Sequence, residues 1–314
     1  MKCTITYLEC ALILVMLLCA DIAAVYPAVA PCQSRSERAV APITDKSPVP
    51  YGEGLLWKIE GRGIEPGYLF GTIHLEDPRV IRLPPVVQEV FNSATSLITE
   101  VEMHPAARAR YSERMRLSRG VSLQQYLQAP LYQQLVHILD EDYALPESVL
   151  DNLKPWAVFI LLSRPPPVTG RVLDDVLKAQ AVQQGKPVHG LETVDELVAA
   201  LDGMSVDDQA EILLDTVCNR DQLAEQLEEL TTLYLHQNVA AMLAINAGSH
   251  QDEALFERFM ERTLYQRNRR MALRIRDRLG DGTLFIAVGA LHLAGERGIL
   301  RGLEANGYRI SRIF

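Results

Sequence analysis

The sequence is short of the features that mark several common activities. It has five cysteines, and Cys3, Cys10 and Cys19 fall within its first nineteen residues. No Cys-x-x-Cys pair exists, which excludes a thiolate zinc site and a thioredoxin-like centre. There is no Gly-rich phosphate loop, no His-Glu-x-x-His helix and no Gly-x-Ser-x-Gly elbow, so the best-known nucleotide, zinc-protease and serine-esterase signatures are missing. Basic charge is in deficit too. The formal net charge of -9 removes the electrostatic footprint that nucleic acid requires. After the first thirty residues no second long apolar run appears.

What remains is ordinary globular material. The chain has 314 residues, of which 48% are hydrophobic and 23% charged, enough for one large domain or two small ones. Residues 1–30 carry a basic start at Lys2, an apolar stretch from Leu8 to Ala20 and small residues at Ala23-Ala24 and Ala28-Val29-Ala30. That pattern predicts a secretory signal peptide, and with it a bacterial protein that is periplasmic or secreted. A membrane enters only if this segment is retained as an anchor. Residues 31–50 are polar and proline-rich and read as a flexible linker. Once the signal is removed, at most Cys32 and Cys218 remain. Export permits a disulfide between them, and two free thiols fit the sequence equally well.

Two short stretches repeat one pattern at opposite ends of the remaining chain. Tyr68-Leu69-Phe70-Gly71-Thr72-Ile73-His74-Leu75 and Ile286-Ala287-Val288-Gly289-Ala290-Leu291-His292-Leu293 each read as an apolar strand followed by Gly-x-x-His-Leu. A buried strand that ends in glycine can turn sharply or lie close to another group. The histidine three residues on can then point over the strand tip. Between the two copies, from about 105 to 280, the apolar positions fall at helical spacing, as in Leu127, Leu131, Leu135 and Ile138. The expected fold is α/β: a central sheet built from the two Gly-x-x-His strand repeats, with a large helical insertion between them. Residues 51–314 are treated as one domain.

Ligands in open α/β sheets bind beyond the carboxyl ends of the strands. His74, Glu100, His292 and Glu192 are all expected there. Two imidazoles with a carboxylate form a common shell for a divalent metal, which acidifies water for hydrolysis of an amide or ester. The same groups without metal suit general acid–base catalysis. A non-catalytic cleft that sequesters a peptide, haem or metal uses the same residues. Arg267 lies in a basic run, Arg267-Asn268-Arg269-Arg270, where one guanidinium can clamp a carboxylate or oxyanion. His104 follows Glu100 and Glu102 on one face of an extended segment.

Six stretches in order carry a family resemblance: Leu56-Trp57-Lys58-Ile59, Leu69-Phe70-Gly71-Thr72-Ile73-His74, Ile98-Thr99-Glu100-Val101-Glu102, Gly190-Leu191-Glu192-Thr193, Arg267-Asn268 and Val288-Gly289-Ala290-Leu291-His292-Leu293-Ala294-Gly295. Together they resemble the TraB/PrgY/GumN family, whose animal relatives are the Tiki proteases. The resemblance implies an α/β fold related to erythromycin-esterase-like and ChaN-like proteins. It implies an active centre of His74, His292 and Glu100, with Glu192 and Arg267 in support. It also implies manganese- or cobalt-dependent cleavage of a peptide or protein substrate. Glu102 stands where many relatives have Asp. The expected activity is a metal-dependent peptidase.

Overall fold

The computed structural model describes Cys32 and residues 48–166, 171–248 and 252–314. The expected signal segment and most of the expected linker lie outside the described residues. Among the described residues no helix is long and apolar enough to cross a membrane.

The fold is mixed α/β around a six-stranded sheet. In chain order the strands are β1 (Leu56–Glu60), β2 (Gly67–Thr72), β3 (Ser96–Val101), β4 (Val188–Glu192), β5 (Leu284–Gly289) and β6 (Arg309–Arg312). Across the sheet they run β4-β3-β5-β2-β1-β6. The four strands β4, β3, β5 and β2 are parallel, so their carboxyl ends share one edge of the sheet. There Thr72 sits opposite Gly289, and Val101 opposite Glu192. β1 joins β2 in an antiparallel hairpin, and β6 closes the other side of β1.

Side-chain alternation explains why the central strands read as unbroken apolar runs. Along β5, Leu284, Ile286 and Val288 face one side with Ile59, Leu69, Met271, Ile275 and Leu303. Phe285 and Ala287 face the other side with Phe70, Phe91, Leu173 and Tyr234. A parallel strand covered on both faces is apolar at every position. The helices Gln266–Arg278 and Ile299–Ala305 cover the first face, and Pro85–Ser93 and Leu173–Gln183 the second. A separate helical layer has its own core, including Leu135, Trp156, Phe159, Val198 and Leu213. It also carries Cys218, which forms a disulfide with Cys32. Of the two thiol states open to the sequence, the structure has the paired one.

Candidate functional site

The strand tips bring several polar groups into contact. Glu100, next to last in β3, accepts a hydrogen bond on Oε1 from the backbone N–H of Gly289 at 2.7 Å. Its Oε2 accepts from the Arg267 guanidinium at 2.6 Å. His292 lies on the short helical turn after β5, buried, with Nε2 3.6 Å from Glu100 Oε1. His74 lies beyond the end of β2, half open to a cleft, with Nδ1 2.9 Å from an Asp174 carboxylate oxygen. The other Asp174 oxygen accepts from the Thr72 hydroxyl at 3.0 Å.

The glycines of the paired segments have a steric reason. A Cβ on Gly71 would meet Leu293 Cδ1 at 2.7 Å and Ala290 Cα at 3.0 Å, so β2 accepts the His292 turn only where it has no side chain. On Gly289 a Cβ would lie 3.3 Å from Glu100 Oε1. There the glycine admits the carboxylate to its own N–H. Close approach is the requirement at both, and Gly289 has an ordinary negative φ of -54°.

Arg267 comes from the start of the helix Gln266–Arg278, just after a π-helical turn over Glu261–Tyr265. Such turns re-aim side chains and recur at functional sites. Its Nε donates to Glu192 at 2.8 Å, and another nitrogen lies 3.4 Å from His292 Nε2. Arg270 takes the second Glu192 oxygen at 2.6 and 2.9 Å. The buried Glu192 and the partly buried Glu100 thus meet two guanidiniums, which offsets the cost of taking the charges from water.

The two imidazoles sit in opposite electrostatic settings. Burial lowers the pKa of His292 to about 4, with the Glu100 charge opposing and those of Arg267 and His74 assisting. The Asp174 carboxylate raises His74 to about 9. Burial alone would raise Glu100. The charge of His292 once it is protonated, those of Arg267 and His74, and the Gly289 N–H hold it well below the usual carboxylate range. Arg267 is held above its ordinary value, because Glu100 and Glu192 outweigh its burial.

The residues singled out by sequence therefore divide. Glu100, Glu192, Arg267 and His292 form one contact network, and His74 faces the same pocket as Glu100. The four-ligand metal set of His74, Glu100, His292 and Glu192 is not assembled. Glu192 has both oxygens engaged by arginines, and the Arg267 guanidinium stands beside Glu100 and His292. Among the described residues no three His, Cys, Asp or Glu side chains group so as to hold a metal ion. A fixed cation inside the donor set opposes a dication, so the residues as arranged do not fit one. Nor is Arg267 free to clamp substrate; it is only 7% exposed and spent on carboxylates. His104 caps the helix Pro105–Arg114, its Nδ1 accepting from the Ala107 N–H. Asp174 was not found from sequence, since Asp174-Asp175 reads as acidic helix-start residues. Asn268 stood only in the family pattern, yet its Oδ1 lies 2.5 Å from His292 Nδ1.

Comparison with known proteins supplies the family. The model of the TraB/PrgY/gumN family matches residues 55–312. The chain belongs to that family. A curated relative of this TraB-family chain is the metalloprotease TIKI2 of Danio rerio, 24% identical over 311 residues. The match takes in 81% of this chain and 60% of the relative, so the chain spans about three-fifths of that protein's length. No solved structure matches this family member.

Proposed function

We propose that this TraB-family chain is a hydrolase, a peptidase acting on exported peptides or proteins. One observation carries the reading: beyond the tips of adjacent strands one imidazole is buried 3.6 Å from the Glu100 carboxylate, and a second, held by Asp174, faces the same pocket. Paired groups whose pKa values are driven apart are how one site supplies acid and base together. The two strands are read as copies of one catalytic unit, and the helices between them as an insertion that walls the cleft. The metalloprotease name of the TIKI2 relative supports a peptide substrate. The Cys32–Cys218 disulfide supports export, because such bonds persist in oxidising compartments.

Between about pH 4 and 9, His292 is neutral, His74 is charged and Glu100 is ionised. A water held on Glu100 Oε1 is within reach of His292 Nε2, which takes its proton as the water attacks the peptide carbonyl. His74, oriented by Asp174, returns a proton to the leaving amine. Arg267 and the Gly289 N–H fix Glu100 in place. Manganese or cobalt, expected from the family, has no place in this sequence of steps, because both Glu192 oxygens and one Glu100 oxygen are engaged by arginine.

The test is hydrolysis of a quenched fluorescent peptide library by the purified protein. Glu100→Gln and His292→Gln are each expected to lower kcat/KM by about 10²- to 10⁴-fold, and a chelator to leave the wild type unchanged. Full activity in both variants would overturn the assignment. Loss under chelator, restored by Mn2+ or Co2+, would return the metal-dependent reading. Saturable binding with intact peptide by mass spectrometry would show a binder instead.

A further inference from the structure

Two cavities meet at His74. The larger, about 660 Å³, is walled by apolar side chains including Tyr111, Met115, Tyr143, Ile160, Leu161 and Leu227. That volume is ample for a few peptide residues. The smaller, about 270 Å³, holds Glu100 and Asp174. His74, Arg164 and Asp175 line both.

The charges around this junction are nearly all engaged. At the far rim, Asp77 and Glu228 are bound by Arg79 at 2.5 and 2.6 Å. Asp174 faces His74, and Glu100 is held by Arg267. Lys178 donates to the Met103 carbonyl, and Arg108 donates to the same carbonyl and lies 3.9 Å from Asp175. Arg164 differs. No carboxylate among the described residues pairs with its guanidinium, although its backbone is fixed. Tyr143 Oη donates to the Arg164 carbonyl at 2.6 Å, and Ser163 is tied back to the Phe159 carbonyl at 2.7 Å. Pro165 and Pro166 follow, and a residue before proline is restricted to extended backbone. The result is a guanidinium with no carboxylate partner among the described residues, on a stiff corner at the mouth of an apolar groove, lining the same cavities as the proposed general acid.

A guanidinium recognises a carboxylate through two parallel hydrogen bonds. From the hydrolase reading above, the geometry points to a peptide cut close to its carboxyl terminus, its free α-carboxylate on Arg164 and an apolar terminal residue in the groove. Arg164 is then the residue that selects a chain end over an internal segment, and the groove selects the apolar side chain.

The experiment compares one N-blocked peptide ending in leucine as free acid and as amide, with wild type, Arg164→Ala and Arg164→Lys. Arg164 is exposed, and circular dichroism checks that its variants fold. The wild type should favour the acid by about 10- to 100-fold in kcat/KM, the range of a charged hydrogen bond. Arg164→Ala should bring the acid down to the amide's rate and leave the amide unchanged, and Arg164→Lys should recover part of the preference. Equal rates in the wild type, or a preference that survives in Arg164→Ala, would overturn the Arg164 assignment and leave the hydrolase reading standing. If neither peptide is cleaved, the hydrolase reading is decided by the peptide library above. Calorimetric binding of the intact pair then decides: an acid preference lost in Arg164→Ala supports the assignment, and equal binding overturns it. Saturable binding of a fatty acid with none of the peptide acid would overturn the peptide class.

Discussion

At His292 the tautomer is settled by a neighbour's amide. Asn268 Nδ2 donates to the Arg297 carbonyl at 2.9 Å, so its Oδ1 is the atom that faces His292. An oxygen there accepts, which puts the imidazole proton on Nδ1 and leaves Nε2 with a lone pair toward Glu100. Kinetics should report this arrangement directly. We expect kcat/KM to rise as His292 loses its proton through about pH 4 and to fall as His74 loses its proton through about pH 9. His74→Gln should remove the upper limb. Asn268→Asp places a carboxylate on Nδ1, which favours the imidazolium and should move the lower limb toward neutrality. A pH–rate profile with unmoved limbs in both variants would separate these residues from the chemistry. Sequence could nominate His292 and Asn268 but not this tautomer. It depends on a backbone carbonyl at Arg297, and carbonyls carry no sequence signal.

Among the elements, the first strand of the pair depends on a missing side chain. Gly71→Ala sets a methyl against Leu293 and the Ala290 backbone, and backbone cannot yield as a flexible side-chain end can. Overpacking of this kind costs about 1–3 kcal/mol. The displaced group is the turn that carries His292, so activity should fall with stability. Gly289→Ala meets nothing closer than 3.3 Å and should fold nearly as well, its effect confined to Glu100. Urea denaturation and kcat/KM on the two variants check the contrast; equal destabilisation would refute it. Apolar runs ending in glycine were enough to place β2 and β5 to within a residue or two. The π-helical turn before Arg267 was not legible, since one extra residue in a helix leaves the apolar spacing almost unchanged. Arg267 therefore read as a substrate clamp in a basic run, although it is buried between two carboxylates.

At the scale of the molecule, the sheet and the helical layer have separate cores, and the disulfide belongs to the second. Cys218 closes the helix Val206–Cys218, whose Leu213 and Val217 pack in that layer, while the proposed chemistry stands on the strand tips. The bond joins residues 186 apart in sequence, and pairing of that kind follows from the folded path alone. Composition could only permit it. Closing a loop of this length restricts the unfolded chain, and a native disulfide typically contributes about 2–4 kcal/mol in that way. Cys218→Ser, or reductant on the wild type, should therefore lower the denaturation midpoint while kcat at low denaturant stays within about twofold, because among the described residues the strand-tip groups bond to one another and not to the bridge. Denaturant titrations with and without reductant, followed by both fluorescence and peptide hydrolysis, make the comparison. A midpoint indifferent to reductant would mean that Cys32 is not held against the helical layer in solution. A loss of kcat before any loss of fold would mean that layer and strand tips are coupled more tightly than their separate cores imply.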